Sequence, residues 1–119
     1  MKNINITASN LTNSNGNPAA NQIEIRIVGK TEDGKPINLR QFNSYNKKIC
    51  IINYIGEEPS IAIDSNAFDY SITTSKYLNI FLEDNYLNPK DINKIYKIGS
   101  GKLKTKYNTY NIVIMDLNN

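Results

Sequence analysis

Residues 22–28 read Gln22-Ile23-Glu24-Ile25-Arg26-Ile27-Val28, in which polar and apolar side chains alternate up to Ile27. A period of two places the isoleucines on one face of a β-strand and the polar residues on the other face. The turn formers Glu-Asp-Gly-Lys-Pro follow at 32–36 and lead into Ile37-Asn38-Leu39. A strand, a tight turn and a second strand are therefore predicted here, which makes a β-hairpin.

Similar short runs occur along the rest of the chain. Residues 48–55 are apolar on both faces, as expected of a central strand. Asn88, Pro89 and Asp91 form a helix start signal, so a short helix is predicted near 89–96. The other runs that predict strands are residues 3–8, 60–64, 68–72, 77–82, 103–107 and 110–117.

This count predicts an all-β fold with about eight short strands and at most one short helix. Strands with turn signals every eight to twelve residues or so favour an antiparallel β-sandwich, either Ig-like or jelly-roll-like. The chain has 119 residues, three Phe and no Trp, which suits one thin core filled mostly by Ile. We expect residues 1–21 to form a polar N-terminal strand and arm, and residues 22–119 to form the single sandwich domain.

The hairpin region also carries a local resemblance. Its strand, its Asp33-Gly34-Lys35-Pro36 turn and the following Ile37-Asn38-Leu39 look like the hairpin found in many Ig-like and transthyretin-like modules of surface and phage tail proteins. The resemblance covers less than a fifth of the chain and implies a β-module without assigning a family.

Composition disfavours several classes of protein. The chain has no His, which removes the commonest general base and zinc ligand, and its acidic residues show no pattern that singles out a facing pair. We therefore expect no catalysis and no cofactor. A net charge of +3 makes a nucleic-acid partner unlikely on electrostatic grounds. The absence of a long apolar run predicts a soluble chain without signal peptide or membrane insertion, in an unknown compartment.

One segment carries a weak metal signal. Asp64, Asn66 and Asp69 place oxygen ligands of the type that Ca²⁺ prefers within six residues. The segment lacks the glycine and the distal glutamate of an EF-hand loop, and an Asx turn is the favoured interpretation. Cys50 lies in an apolar run and is expected to fill the core, so no intramolecular disulfide can form.

Two surfaces are candidates for binding a partner. Residues 9–21 are polar and rich in turn formers, and we expect them to form a long loop that reaches a neighbour through Asn10, Asn13, Asn15 and Asn17. Lys102, Lys104 and Lys106 alternate and would form a basic stripe. Tyr107 and Tyr110 follow the stripe. A solvated edge strand, whose lysines discourage pairing, is the alternative interpretation of the stripe.

These observations favour a non-catalytic structural or interaction subunit of a larger assembly, of the virion, phage tail or secretion-apparatus type. Its expected partner is another protein or a second copy of the chain, contacted through the arm and the open strand edges. A carbohydrate-binding sandwich that uses Tyr and Asn side chains is the alternative. A protein inhibitor that presents a loop is the third hypothesis.

Overall fold

The computed structural model describes residues 3–119, which form one seven-stranded mixed sheet and two helices. The strand order is β1-β2-β3-β4-β5-β7-β6, so β1 and β6 are the edges. The all-β prediction is confirmed in part: the described residues are mostly β, but they form seven strands in one sheet, and the second layer consists of two helices where a second sheet was expected. The elements are β1 (Asn3–Thr12), β2 (Pro18–Lys30), β3 (Pro36–Ser44), β4 (Lys47–Asn53), β5 (Ser60–Asp64), α1 (Ile72–Asp84), α2 (Pro89–Ile98), β6 (Ser100–Lys104) and β7 (Thr109–Met115).

The sheet is not purely antiparallel. Strands β1 to β5 pair with their sequence neighbours in antiparallel order. Strand β7 then lies parallel to β5, with Ser60 opposite Asn111 and Asp64 opposite Met115. Parallel strands need a long crossover, which α1, α2 and β6 provide here. The sandwich prediction missed this crossover because it assigned strands to the segment that forms α1.

The prediction for residues 9–21 was wrong, because most of them belong to the β1–β2 hairpin and not to a loop. The turn spans residues 13–17, where the Asn13 side-chain oxygen accepts hydrogen bonds from the backbone N–H groups of Asn15 and Asn17. Leu11 and Ala19 are buried on either side of this turn. These two apolar residues tie an otherwise polar hairpin to the core.

The strands predicted at 68–72 and 77–82 were also wrong. Ser71 caps α1 by accepting a hydrogen bond from the backbone N–H of Thr74 at 3.0 Å. The buried residues of this helix recur at intervals of three and four, which is the helical period. They are Thr74, Tyr77, Leu78, Phe81 and Leu82.

The helix predicted near 89–96 is confirmed as α2. Asn88 caps it by accepting a hydrogen bond from the backbone N–H of Lys90, and Pro89 occupies its first position. Gly99 ends the helix in the left-handed conformation with φ of 109°. Among residues 3–119, no helix is long and apolar enough to cross a membrane.

Both helices pack on one face of the sheet, which we call the helix face. The rings of Phe42 on β3 and Phe81 on α1 stack with their centroids 5.8 Å apart. Cys50 also belongs to this core, and burial raises the pKa of its thiol to about 12. The other fully buried members are Ile49, Ile52, Ile61, Ile63, Ala67, Leu78, Leu82 and Ile92. We call the opposite side of the sheet the open face.

Candidate functional site

A cleft of about 370 Å³ opens on the helix face, where the end of α1 approaches the turn between β6 and β7. This volume lies near the lower end of the range usual for small-ligand sites. Five parts of the chain contribute its walls: β3, the residue after β4, the residues that follow α1, the β6–β7 turn and the start of β7. The lining residues, which we call the tyrosine cleft, are Asn38, Arg40, Tyr54, Asn85, Tyr86, Tyr107, Asn108 and Tyr110.

Arg40 provides the positive charge of the tyrosine cleft. Its Nη1 donates a hydrogen bond of 2.6 Å to the Oδ1 atom of Asn85. The guanidinium carbon lies 5.4 Å from the ring centroid of Tyr54, within reach of a cation–π interaction. No carboxylate within residues 3–119 forms a salt bridge with this arginine. Its charge is therefore held in place by neutral partners.

The partners of Arg40 are themselves fixed. The buried Asn85 donates a hydrogen bond of 2.8 Å from Nδ2 to the carbonyl of Phe81, one turn earlier in α1. The hydroxyl of Tyr54 donates to Asn85 Oδ1 at 3.2 Å. Burial raises the pKa of Tyr54 to about 12, so the hydroxyl keeps its proton at neutral pH and remains a donor. The site is thus organised before any ligand arrives.

Two exposed tyrosines form the rim of the tyrosine cleft. Tyr86 and Tyr107 are 76% and 65% exposed, and their ring centroids lie 5.7 Å apart. Tyr86 has a φ of 61°, an uncommon left-handed conformation for a residue with a large side chain. At the base, the buried Tyr110 has its hydroxyl 3.3 Å from Nδ2 of Asn108. The cleft therefore combines aromatic surfaces with amide groups and one guanidinium.

The open face of the sheet is a second candidate site. The isoleucines of β2, Ile23, Ile25 and Ile27, lie opposite Asn43, Gln41 and Leu39 of β3 on this face. Ile6 of β1 pairs with Ile27 there and is 66% exposed. Neither helix within residues 3–119 packs against these residues, because both helices lie on the face that bears Phe42.

The polar side of β2 consequently faces the helices. Gln22 lies opposite Ser44, whose hydroxyl is hydrogen-bonded to Thr74 of α1 at 2.8 Å. The Gln22 side chain is fully buried, and neither its Oε1 nor its Nε2 has a hydrogen-bond partner among residues 3–119. The buried Glu24 is 3.6 Å from Arg26, although Glu24 Oε1 accepts no hydrogen bond in the same region. The polar residues of β2 therefore face the core, and its isoleucines face away from it.

The four asparagines predicted to bind a partner lie at the turn end of the β1–β2 hairpin. Asn10 lies in β1 and donates a hydrogen bond of 2.7 Å to the carbonyl of Ala19. Asn13 holds the turn, and Asn15 and Asn17 are exposed within it. Asn10 and Asn13 thus have structural roles in the β1–β2 hairpin.

The predicted basic stripe is interrupted. Lys102 and Lys104 lie in the edge strand β6, whereas Lys106 lies in the turn that follows. Lys102 Nζ is 3.0 Å from Glu58 Oε1, and this contact lowers the pKa of the Glu58 carboxyl. Lys106 Nζ lies 5.7 Å from the ring centroid of Tyr107. Of the residues predicted here, the structure brings Tyr107 and Tyr110 together in the tyrosine cleft.

In the predicted metal site, the carboxylate of Asp64 has a structural role, because it accepts hydrogen bonds within the protein. The Asp64 carboxylate accepts hydrogen bonds from the Tyr70 hydroxyl at 2.7 Å and the backbone N–H of Leu117 at 2.9 Å. The backbone N–H of Asn66 donates to it at 3.2 Å, which forms the Asx turn that the sequence favoured. Within residues 3–119, no cluster of three or more acidic or thiol ligands could hold a metal ion.

Burial and hydrogen bonding act on Asp64 in opposite directions. Burial raises the pKa of this carboxyl, whereas the hydrogen bonds from Tyr70, Leu117 and Asn66 lower it. The hydrogen bonds together outweigh burial, so the pKa lies below its ordinary value. The carboxylate is therefore charged at neutral pH and joins the end of β5 to the C-terminal segment.

Sequence reasoning missed Arg40, Asn85 and Tyr86 as members of a site. They come from β3 and the end of α1, far from Tyr107 in sequence, and no spacing rule links them. The one available signal was the position of Arg40 directly after the predicted strand at 37–39, without a neighbouring acid.

Comparison with known proteins gives one match. No curated protein and no solved structure matches the chain. Residues 2–97 match the model of a family described as a family of unknown function, DUF8033. This match covers most of the chain and includes every element from β1 to α2, of which it omits only the last residue. The chain therefore belongs to the DUF8033 family.

Proposed function

We propose that the protein is a non-catalytic interaction subunit that assembles with a second copy of itself through the open face of its sheet. The observation that supports this proposal is the orientation of β2, whose Ile23, Ile25 and Ile27 point away from the helices. The absence of His from the sequence supports a role in binding and not in catalysis. The type of assembly, whether virion, phage tail or secretion apparatus, stays a prediction, as does the inhibitor hypothesis.

The register of β2 supports burial of its isoleucine face. Shifting a strand by one residue exchanges its two faces, so register normally places the apolar set in the core. Here the register buries Gln22 and Glu24 and leaves the isoleucines at the surface. In an antiparallel sheet that is covered on one side, the uncovered side is usually polar. A partner on the open face resolves this inversion.

The open face suits a second copy in chemistry and in size. Its central side chains carry no formal charge: they are Ile6, Ile25, Ile27, Leu39, Gln41 and Ile51. Seven strands spaced about 4.8 Å apart and about 20 Å long give a footprint of roughly 700 Å². A standard stable interface buries about 800 Å² per partner. Two such faces packed together would complete the predicted sandwich between two chains.

The N-terminal strand offers a further contact. β1 is an edge strand of ten residues without a charged side chain, and such an edge can accept a strand from a neighbour. The other edge, β6, carries Lys102 and Lys104, which disfavour pairing. In this proposal, β1 makes the contact with a neighbour that the sequence analysis expected from a polar arm.

The test compares two exposed isoleucines, Ile6 on the open face and Ile72 at the start of α1 on the helix side, with exposed fractions of 66% and 90%. Ile6→Asp places a charge on the open face, whereas the matched control Ile72→Asp places it at the start of α1, where Ile72 is 90% exposed. We expect the unaltered protein and the control to have the mass of a dimer by light scattering. The Ile6→Asp dimer should dissociate at least about tenfold more readily, because burying an unpaired carboxylate in an apolar interface costs at least the ~1.4 kcal/mol that a tenfold change represents. A monomer at high protein concentration would refute the proposal.

A further inference from the structure

We propose that the tyrosine cleft binds a sugar ring that carries a carboxylate, with the carboxylate on Arg40 and the ring against Tyr107. This inference goes beyond the proposed assembly, because the cleft lies on the helix face and the assembly uses the open face. The two sites could therefore be occupied at the same time.

The charge of the ligand follows from the surroundings of Arg40. This half-buried guanidinium has no carboxylate partner among residues 3–119, and the Arg26 of the next strand lies directly opposite it. Arg26 is paired with Glu24 at 3.6 Å, whereas Arg40 has no such partner in the described part of the chain. An anion bound beside Arg40 would supply the counter-charge that this guanidinium lacks.

The geometry of Arg40 favours a carboxylate. Asn85 engages Nη1, and Tyr54 lies against the guanidinium plane, so the remaining N–H groups are held in a fixed orientation. A planar guanidinium matches a carboxylate through two parallel hydrogen bonds. The lining of the cleft contains no second cationic side chain to share the charge of a phosphate dianion.

The rest of the cleft suits a ring bearing hydroxyl groups. Asn38 and Asn108 have amide groups that can both donate and accept, as sugar hydroxyls also do. Tyr86 and Tyr107 present exposed ring surface at the rim, against which the C–H face of a pyranose can pack. Their rings are inclined by 59°, so they cannot clamp a flat base between parallel planes.

The experiment titrates the full chain with methyl glucuronide and measures binding by NMR, from the shifts of the protein's backbone amide resonances. Methyl glucoside is the neutral probe, since it differs only in the oxidation state of one carbon atom. We expect the glucuronide to bind at least about tenfold more tightly, because a charge-assisted bidentate pair contributes about that much. The shifts should centre on Asn38, Tyr86 and Asn108.

Variants then assign the roles of two residues. Arg40→Lys should reduce the preference for the glucuronide to about threefold or less, because lysine keeps the charge but lacks the planar fork. Tyr107→Ala removes an exposed ring and should lower the affinity for both sugars about fivefold. Tyr45→Ala is the matched control, because Tyr45 is another exposed tyrosine that lies in the β3–β4 turn, outside the cleft.

Three results would overturn the inference. The first is equal binding of the two sugars, or no saturable binding of either. The second is a set of resonance shifts away from the cleft. The third is tighter binding of uridine monophosphate than of methyl glucuronide, which would identify a nucleotide site. Ile6→Asp should leave sugar binding unchanged, so failure of the proposed assembly is distinguishable from failure of this inference.

Discussion

The two faces of the sheet differ in what their apolar residues contact. On the helix face, Phe42, Ile52 and Ile61 are fully buried against the helices. On the open face, Ile25 and Ile27 of β2 are half-buried by their neighbours in the sheet alone. Both faces are rich in isoleucine and similar side chains, so the sequence pattern alone does not distinguish them. The difference shows that alternation defines which residues share a face, whereas packing decides which face becomes the core.

Truncation on each face gives the largest expected contrast. Phe81→Ala should lower the free energy of unfolding by about 3–5 kcal/mol, because it leaves a cavity beside Phe42. Ile25→Ala should cost about 1 kcal/mol or less in dilute monomer, because the side chain is already partly in water. Urea unfolding at low protein concentration measures both.

The concentration dependence sharpens this contrast. At protein concentrations where dimers form, the cost of Ile25→Ala should grow, because mass action adds the interface to the stability of the fold. The cost of Phe81→Ala should not depend on concentration to the same extent. Equal costs for the two variants in dilute monomer would show that the open face is as well packed as the helix face.

Much of the fold was predictable from local signals. Residues 22–28 and 60–64 alternate and form strands, and the Asn88-Pro89 signal marks the start of α2. Helix α1 was missed because its apolar run, read in a β-rich chain, resembles a strand. The spacing of Thr74, Leu78 and Phe81 behind the Ser71 cap carried the helical signal.

The candidate sites were less predictable, for physical reasons. The tyrosine cleft joins Arg40, Tyr86 and Tyr107 through tertiary packing, and sequence spacing contains no information on that packing. The open face was hidden because the strand that predicts it most clearly, β2, was expected to turn its isoleucines inward. That expectation rests on the pattern of one strand alone, which shows which residues share a face but not which face the helices cover.

Two buried polar side chains extend the comparison, because their hydrogen bonding differs. Asp64 has all its hydrogen bonds made, whereas Gln22 has none within residues 3–119. Asp64→Asn should lower the free energy of unfolding at pH 7 by about 2 kcal/mol, since hydrogen bonds to a charged group contribute about 1.5–3 kcal/mol. Urea unfolding of the variant and the unaltered protein measures this cost.

The pH dependence of that cost has a definite sign. The folded-state pKa of Asp64 is lowered, so its carboxylate contributes stability above the unfolded-state pKa of about 3.9. This contribution is lost as the pH falls through the folded-state pKa. The difference between Asp64→Asn and the unaltered protein should therefore shrink in acid. A cost that is the same at pH 7 and in acid would contradict a role for the charge.

Replacing Gln22 gives the smallest expected effect and the opposite sign. Gln22→Leu should raise the free energy of unfolding by about 1 kcal/mol, because it removes two buried polar atoms that lack partners and keeps a similar volume under α1. Gln41→Leu is the matched control: Gln41 lies on the open face and already donates a hydrogen bond to Asn43. Urea unfolding of the control should change little, while its dimer should become tighter. A loss of stability in Gln22→Leu would show that the helix face of β2 requires a polar residue, and the inversion of this strand would then be a feature of the monomer.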